Sequence, residues 1–212
     1  FRRDAARNVL NNYEKYKTFT FMSATMLEDD FILDELINIP IVKCEWEDIK
    51  EVEVQSIKCK NNVSSTTSQI INDFLNGSFE GKAFFFVNSV EFIKEMIEVC
   101  NLNSNNCRVI YSKNNKTKLT IENSDTLSEP KTINFLTSTC FEGCDLFCED
   151  AHIFVISDNR KQHTLIDIST SLQQIAGRIR DTKYWNVVYH LFTNTRYDVE
   201  VTYDEFKEVC NE

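Results

Sequence analysis

Lys82–Val87 (KAFFFV) is the stretch that decides the fold of this chain. After one lysine it continues through five apolar residues without a polar interruption. Such a run predicts a strand that is covered on both faces, as in a parallel sheet. Asn88-Ser89 follows directly and predicts the start of an amphipathic helix that continues to Val99. Together the two elements predict one strand–helix unit of an α/β protein.

The same alternation recurs along the chain. Further strands are predicted at 18–22, 39–46, 52–59, 109–111, 132–136, 151–156 and 186–192, and helices at 2–17, 28–37, 66–75, 169–180 and 203–209. The helix that ends at Leu75 is predicted to begin at a Thr66 or Thr67 cap. Strands that alternate with helices predict an α/β fold, here a three-layer sandwich with a mostly parallel central sheet.

The composition indicates a folded intracellular protein. Of the 212 residues 42% are apolar and 16 are Phe, which suffices for a core and argues against disorder. The net charge of −10 argues against a protein that coats nucleic acid by charge alone, although it leaves room for a local basic site. No signal peptide or long apolar run is present, so we expect a cytoplasmic protein without a membrane segment.

The cysteines are read as reduced thiols. Eight are present and none forms a C-x-x-C pair. Cys140, Cys144 and Cys148 are spaced by four residues, whereas structural zinc sites use tighter pairs. We therefore predict no metal site and a cytosolic redox environment.

Polar residues follow three of the predicted strands: Ser23-Ala24-Thr25, Asn88-Ser89 and Thr137-Ser138-Thr139. Ligands of parallel sheets bind at the carboxyl ends of strands, so we expect these exits to share one edge. Hydroxyl groups and free backbone N–H groups at such a place are good phosphate contacts. Further along, Gly143 permits a tight turn and Asp145 could accept a hydrogen bond from a ribose hydroxyl. An ordinary glycine turn is the alternative interpretation.

Ser171–Arg180 (SLQQIAGRIR) contains two arginines just after a glycine. Gly177 falls inside the predicted helix, where glycine costs about 1 kcal/mol relative to alanine, so we expect another backbone or a ligand to approach it. Arg178 and Arg180 carry planar, permanently charged groups that suit phosphate. A surface helix with two solvated arginines is the alternative.

Four segments, taken in order, resemble the sequence motifs of superfamily 2 helicases. Ser23-Ala24-Thr25 resembles motif III, and Phe84–Ser89 resembles motif IV. Thr137–Asp145 resembles motif V, and Gln174–Arg180 resembles motif VI with its Q-x-x-G-R pattern. The resemblance covers residues 18–193.

The resemblance implies the second RecA-like (P-loop NTPase type) motor domain of a DEAD/DEAH-like helicase. Residues 1–37 would be the end of the first motor domain, with its last helix and strand and a linker, and residues 38–212 the second domain. The roles that it implies are catalytic arginine fingers (Arg178, Arg180), nucleotide binding (Gly143, Asp145, Gln174, Gly177), nucleic-acid binding (Asn88, Ser89, Thr137, Ser138, Thr139) and interdomain coupling (Ser23, Ala24, Thr25).

One departure from the family pattern concerns the second arginine. In the family it lies four residues after the glycine, where this chain has Asp181, and Arg180 lies three after it. Either Arg180 serves through a local shift, as in the shorter G-R-x-R form, or only Arg178 is a finger.

The resemblance implies ATP and Mg²⁺ as cofactors, but this stretch lacks the residues that hold them. Gly77–Ala83 has one residue too few for a phosphate-binding loop and precedes a strand instead of a helix. Phe31–Glu35 follows the motif III-like segment, although the Mg²⁺-binding carboxylates of the family precede it. We therefore expect these residues to lie upstream, and this chain alone to be inactive.

Two functions stay open. The first is the C-terminal motor domain of an ATP-dependent helicase or translocase that partners the upstream domain and nucleic acid. DNA is favoured over RNA, because the motif VI-like segment has Gln where RNA-remodelling members have His, and its short form resembles that of viral and phage replication helicases. The second is a non-catalytic α/β binding module derived from a helicase domain, which the net charge and the displaced arginine favour.

Overall fold

A six-stranded sheet forms the centre of the fold, and all its strand pairings are parallel. Its strands, in the spatial order β1-β8-β6-β2-β4-β3, are β1 (Glu53–Lys58), β8 (Val187–Phe192), β6 (Ala151–Ser157), β2 (Lys82–Phe86), β4 (Ile133–Leu136) and β3 (Cys107–Ile110). A second sheet consists of β5 (Leu146–Phe147) and β7 (Ile179–Arg180). The helices described around these sheets are α1 (Val63–Leu75), α2 (Val90–Val99) and α3 (Gln173–Ala176).

The computed structural model describes residues 7–22, 36–44, 51–60, 62–141 and 143–193. The chain divides into two compact units, Phe1–Ile49 and Lys50–Glu212, and both sheets belong to the second. No helix in the described part of the chain is long and apolar enough to cross a bilayer.

Strand β2 is buried on both faces, as KAFFFV predicts. Ala83 and Phe85 face one core, which α1 and α2 cover, whereas Phe84 and Phe86 face a second core. The second core is closed by residues between 140 and 148 and between 172 and 179. This layering is compatible with the predicted three-layer α/β sandwich.

The first turn of α2 has the predicted cap. Ser89 precedes the helix with an extended backbone, and its Oγ accepts a hydrogen bond from Phe92 N at 3.2 Å. This contact satisfies one of the N–H groups that a helix start leaves without a partner. It also means that the strand–helix turn after β2 is fixed by Ser89 itself.

The start of α1 differs from its prediction. The helix begins at Val63, and Asn62 is its cap, because the Asn62 side chain accepts a hydrogen bond from Ser65 N at 2.7 Å. Thr66 and Thr67 lie inside the helix, so the predicted cap at either is wrong. Thr67 is buried and donates its hydroxyl to Val63 O, a bond that lets a threonine sit within a helix.

The Gly77–Ala83 segment leads into β2, as expected for a turn that is not a phosphate loop. Gly77 has φ +79° and follows the end of α1 at Leu75, where the sequence predicts it. Gly81 has φ +93°, and a Cβ there would lie 2.3 Å from Asp150 O. Gly81 is thus required both by its backbone conformation and by the close approach of the chain before β6.

In the first unit, three predictions differ from the structure. The helix predicted at 2–17 is present at 7–10 among described residues, and a 3-10 turn follows at Tyr13–Lys15. Asn12 bonds back to Asn8 O at 2.7 Å, a local contact that competes with further helix. The described parts of 18–22 and 39–46 contain no strand, because neither stretch pairs with another strand. The helix predicted at 28–37 lies outside the described residues except for its last two positions, and the helix predicted at 203–209, in the second unit, lies wholly outside them.

Replacing Phe85 by alanine should lower the free energy of unfolding by about 3–5 kcal/mol, because a buried ring leaves a cavity behind. The Phe85 ring stacks between those of Phe135 and Phe154, with centroid distances of 5.3 and 5.0 Å. Urea denaturation followed by circular dichroism measures the change. In the control Phe79→Ala, which removes a ring on a residue that is 51% exposed, we expect less than about 1 kcal/mol. Equal losses would contradict a core centred on β2.

Candidate functional site

The motif VI-like segment is not the single helix that its sequence predicts. Ile168–Leu172 is π-helical, α3 follows for one turn, and Ile179 and Arg180 form β7. Gly177 ends the helix instead of interrupting it, and the Arg178 N–H donates to Ile175 O at 3.0 Å. The atom closest to a Cβ at Gly177 would be Gln174 O at 3.9 Å, so no other part of the described chain crowds it. Within the described residues, the expected close approach of another backbone is therefore not found, and the approach of a ligand stays a prediction.

Strands β5 and β7 join the motif V-like and motif VI-like segments. Leu146 pairs with Ile179, and both side chains are buried in the second core. The Leu146 N–H donates to Arg178 O at 2.9 Å, and the Cys148 N–H donates to Arg180 O at 3.3 Å. Two segments more than 30 residues apart in sequence are therefore held side by side by backbone hydrogen bonds.

The Arg178 guanidinium group is held by both segments. Its Nε donates to Gln174 O and its Nη1 to Cys144 O, both at 2.9 Å. Its Nη2 donates to the side-chain oxygen of Gln174. With the residue half-buried, these bonds orient the planar group and connect the turn after Gly143 to α3.

Arg180 is held more loosely. Its Nε and Nη2 both lie 3.0 Å from Asp145 Oδ1, and the two side chains are 51% and 49% exposed. Exposed ion pairs are worth only about 0.2–1 kcal/mol, so this contact can exchange for another anion at little cost. Gly143, with φ +70°, forms the turn that brings Asp145 to Arg180, and adding a Cβ there would meet no neighbour within 4 Å. Its requirement for glycine is therefore conformational.

The polar exits of β2 and β4 lie at the carboxyl edge of the parallel sheet. Asn88 donates its amide to His163 O at 2.8 Å. Ser89 and Thr137 are buried, Ser89 as the cap of α2, so neither hydroxyl faces solvent. Ser138 is exposed and Thr139 half-buried. Ser23, Ala24 and Thr25 lie outside the described residues.

The exit of β6 was missed by sequence reasoning. Asp158 is buried there, and Arg160 donates to its two carboxylate oxygens at 2.9 and 2.8 Å. The hydrogen bonds from Arg160 hold the pKa of Asp158 below its ordinary value, so it is ionised at neutral pH. Thr164 closes the loop by donating to Asp158 O and accepting from Asp158 N. The sequence contains a signal for this exit, because the polar pair Ser157-Asp158 follows an apolar run just as Asn88-Ser89 does.

The structure thus brings the predicted residues together in two groups. One contains Gly143, Asp145, Gln174, Gly177, Arg178 and Arg180, and the other contains Asn88, Ser89, Thr137, Ser138 and Thr139. No hydrogen bond of either arginine reaches the second group within the described parts of the chain.

The three cysteines with four-residue spacing do not converge on a common point. Cys144 Sγ donates to Cys140 O at 3.4 Å, whereas Cys148 Sγ donates to Asp150 Oδ1 at 3.2 Å. Burial raises the pKa of Cys148 to about 11, so its thiol is protonated at neutral pH. Among the residues that the structure describes, no group of three or more His, Cys, Asp or Glu is arranged to hold a metal ion.

Comparison with family models, with curated proteins and with solved structures finds no match in any of the three. What the chain does is therefore inferred from its own residues and their geometry.

Arg178 should matter more to stability than Arg180. For Arg178→Met we expect a loss of about 1.5–3 kcal/mol in the free energy of unfolding, because hydrogen bonds of a partly buried charged group are removed. For the matched Arg180→Met we expect only about 0.2–1 kcal/mol. Urea denaturation measures the free energy of unfolding of both variants. An equal or larger loss for Arg180→Met than for Arg178→Met would contradict the roles described.

Proposed function

We propose that this chain is the second RecA-like motor domain of an ATP-dependent helicase or translocase of superfamily 2. In this proposal, residues 1–37 form the end of the first motor domain together with the linker. Residues 38–212 form the second motor domain. Its partners are nucleic acid, DNA in preference to RNA, and an upstream domain that binds ATP and Mg²⁺. Its free thiols suit the cytoplasm, where cysteines stay reduced.

The observation that carries the proposal is the contact between the two most specific motif-like segments. A motor domain that faces a nucleotide must present its arginines from a rigid support next to the motif V turn. Pairing of β5 with β7, together with the bond from Arg178 to Cys144 O, supplies such a support. The resemblance in sequence does not require these contacts, so they are independent support for it.

The two arginines then have different tasks. Arg180 would leave Asp145 and pair with a phosphate oxygen when the upstream domain closes, because its present ion pair is weak. Arg178 would keep its bond to Cys144 O, orient the backbone that presents Arg180, and offer charge from nearby. A guanidinium group placed on a transferring phosphoryl group accelerates the reaction by about 10³–10⁵ in other phosphoryl-transfer enzymes.

The alternative is a non-catalytic α/β binding module derived from a helicase domain. It is favoured by one specific observation: both arginines already have partners within the chain. In that case the ion pair between Arg180 and Asp145 is a permanent structural contact and is not exchanged for phosphate.

ATP hydrolysis distinguishes the two functions. We expect hydrolysis, stimulated by single-stranded DNA, from the chain joined to about 200 residues encoded upstream, roughly one domain, and none from the 212-residue chain alone. Arg180→Ala in the joined protein should lower kcat by about 10³ or more, because the charge that stabilises the transferring phosphoryl group is lost.

Two further variants complete this test. Lys94→Ala removes an exposed cation from α2 and should leave kcat unchanged. Asp145→Asn, which weakens the ion pair with Arg180, should retain most of the hydrolysis if the pair is exchanged during the reaction. A joined protein that is inactive, or whose kcat is unchanged by Arg180→Ala, would make the chain a binding module.

A further inference from the structure

Arg108 is a buried arginine of β3 that lies outside the candidate site. Its side chain is 3% exposed, and no carboxylate of the described residues lies within ion-pair distance of it. Charged side chains are almost never buried to this extent unless they are paired. Burial lowers the pKa of Arg108, but an arginine keeps its charge in proteins. A permanent positive charge is therefore held inside the fold without a counter-charge among the described residues.

The guanidinium group of Arg108 is fixed through two of its three nitrogens. Nε donates to Asn134 Oδ1 at 3.0 Å, and Nη1 donates to the carbonyl oxygen of Ser128. The Cζ atom lies 5.7 Å from the centre of the Phe84 ring, which belongs to the second core. Nη2 is buried and has no hydrogen-bond partner within the described residues. The two N–H groups of this nitrogen are thus held in place by the other bonds and can still donate to a further acceptor.

Asn134 is not able to supply that acceptor. Its side chain is fully buried, and its Oδ1 already accepts a second hydrogen bond, from Lys131 N at 3.0 Å. Its Nδ2 donates to Ala83 O at 3.2 Å and to Lys131 O at 2.6 Å. The hydrogen-bonding capacity of an asparagine side chain is therefore used completely in holding Arg108 and the chain that enters β4. An acceptor for Arg108 Nη2 has to come from another molecule or from a different part of the chain.

A cavity of about 690 Å³ is lined in part by Arg108. Its other walls come from the segments just before β3 and β4, at the amino edge of the six-stranded sheet, and from the chain that runs beside β3, where Ser124 N donates to Val109 O at 2.9 Å. Small-molecule sites have volumes of about 300–1,000 Å³, so the cavity has the size of a ligand site. Its apolar lining includes Leu102, Cys107 and Ile121, and its charged lining includes Glu122, Glu129 and Lys131 besides Arg108.

We propose that this cavity binds a small organic monocarboxylate, one of whose oxygens accepts a hydrogen bond from Arg108 Nη2. A guanidinium group is the side chain best suited to a carboxylate, and the bond is strengthened by its charge. Lys131 adds a second positive charge, because no carboxylate of the described residues lies within ion-pair distance of it. The apolar part of the ligand lies against Leu102, Cys107 and Ile121. This site lies at the opposite edge of the sheet from the polar exits of β2 and β4, and it does not depend on the proposed function.

The other charges of the cavity select for a single negative charge on the ligand. Glu122 and Glu129 line the same space, and they repel a dianion such as phosphate more strongly than a monoanion. Nη2 of Arg108 is shielded from solvent, so the carboxylate reaches it beneath the loop 125–131, which contacts the guanidinium group through Ser128 O. Water is excluded at such a place, and a charged hydrogen bond there is stronger than the same bond at the surface.

Titration of the ¹⁵N-labelled chain with sodium butyrate at constant ionic strength tests the inference, with ¹H–¹⁵N NMR spectra of the backbone amides as the readout. We expect saturable shifts confined to residues 102–108 and 120–134, and a dissociation constant of about 0.1–10 mM for so small a ligand. The matched control ligand, 1-butanol, has the same apolar part without the carboxylate. It should bind at least about tenfold more weakly, because it lacks the charged hydrogen bond. Inorganic phosphate should bind more weakly than butyrate.

Two variants with exposed or half-buried substitutions should change the affinity for butyrate in opposite directions. Lys131→Gln removes a positive charge from the cavity and should weaken binding by about two- to fivefold. Glu122→Gln/Glu129→Gln removes two negative charges from the same cavity and should strengthen binding by a similar factor. Lys94→Gln, which removes a cation from α2, should leave the affinity unchanged.

Arg108→Gln removes the proposed donor itself. It should weaken butyrate binding by about tenfold or more, because a charged hydrogen bond is lost. Circular dichroism and the melting temperature show whether this variant folds. If it does not fold, the opposite effects of the lysine and glutamate variants still decide the question.

The proposal would be overturned by the absence of saturable shifts around the cavity, or by 1-butanol binding as tightly as butyrate. Equal effects of the lysine and glutamate variants would also overturn it, and tighter binding of phosphate would make the cavity a site for a different anion. ATP hydrolysis is not part of the assay. An inactive joined protein that binds butyrate would contradict only the proposed function, and an active one that does not bind it would contradict only this inference.

Discussion

The burial of β2 on both faces is the constraint on which the rest of the structure depends. Its phenylalanines alternate between two cores, so both faces of the sheet need cover. Helices α1 and α2 cover one face. The other face is closed by short, irregular segments around Leu146, Leu172 and Ile179, and each large apolar side chain buried there contributes about 1.5–3 kcal/mol. The segments that carry the candidate site therefore also cover one side of the second core.

This double role explains the spacing of the two arginines. In a helix, residues two apart point to different sides, whereas in an extended chain they point to the same side. Ile179 inserts into the second core, so Arg178 and Arg180 both project away from it, toward the turn that contains Cys144 and Asp145. An Arg-x-Arg sequence is thus able to present two guanidinium groups together only because the helix ends at Gly177.

The parts of the fold that could be predicted are those in which local signals agree. KAFFFV is apolar throughout and is followed by a capping serine, so β2 and α2 were predicted within one residue of their bounds. Strands β5 and β7 have two residues each and exist only because they pair with one another, which no local pattern reveals. For the same reason, the helix predicted at 169–180 runs past Gly177, where the helix ends in the structure. Residues 18–22 and 39–44 have a strand-like composition but form no strand, because neither stretch pairs with a partner strand.

The net charge of a chain does not describe the charge of each of its surfaces. In a parallel sheet all strands point the same way, so the composition of the loops after the strands becomes the composition of one surface. Screening limits each charge to about 8–10 Å in physiological salt, so an anion at one edge of the sheet interacts with the nearby side chains and little with the opposite edge. The net charge of −10 therefore says little about the local charge that an anion meets at one edge of the sheet. A local basic site is compatible with an acidic chain.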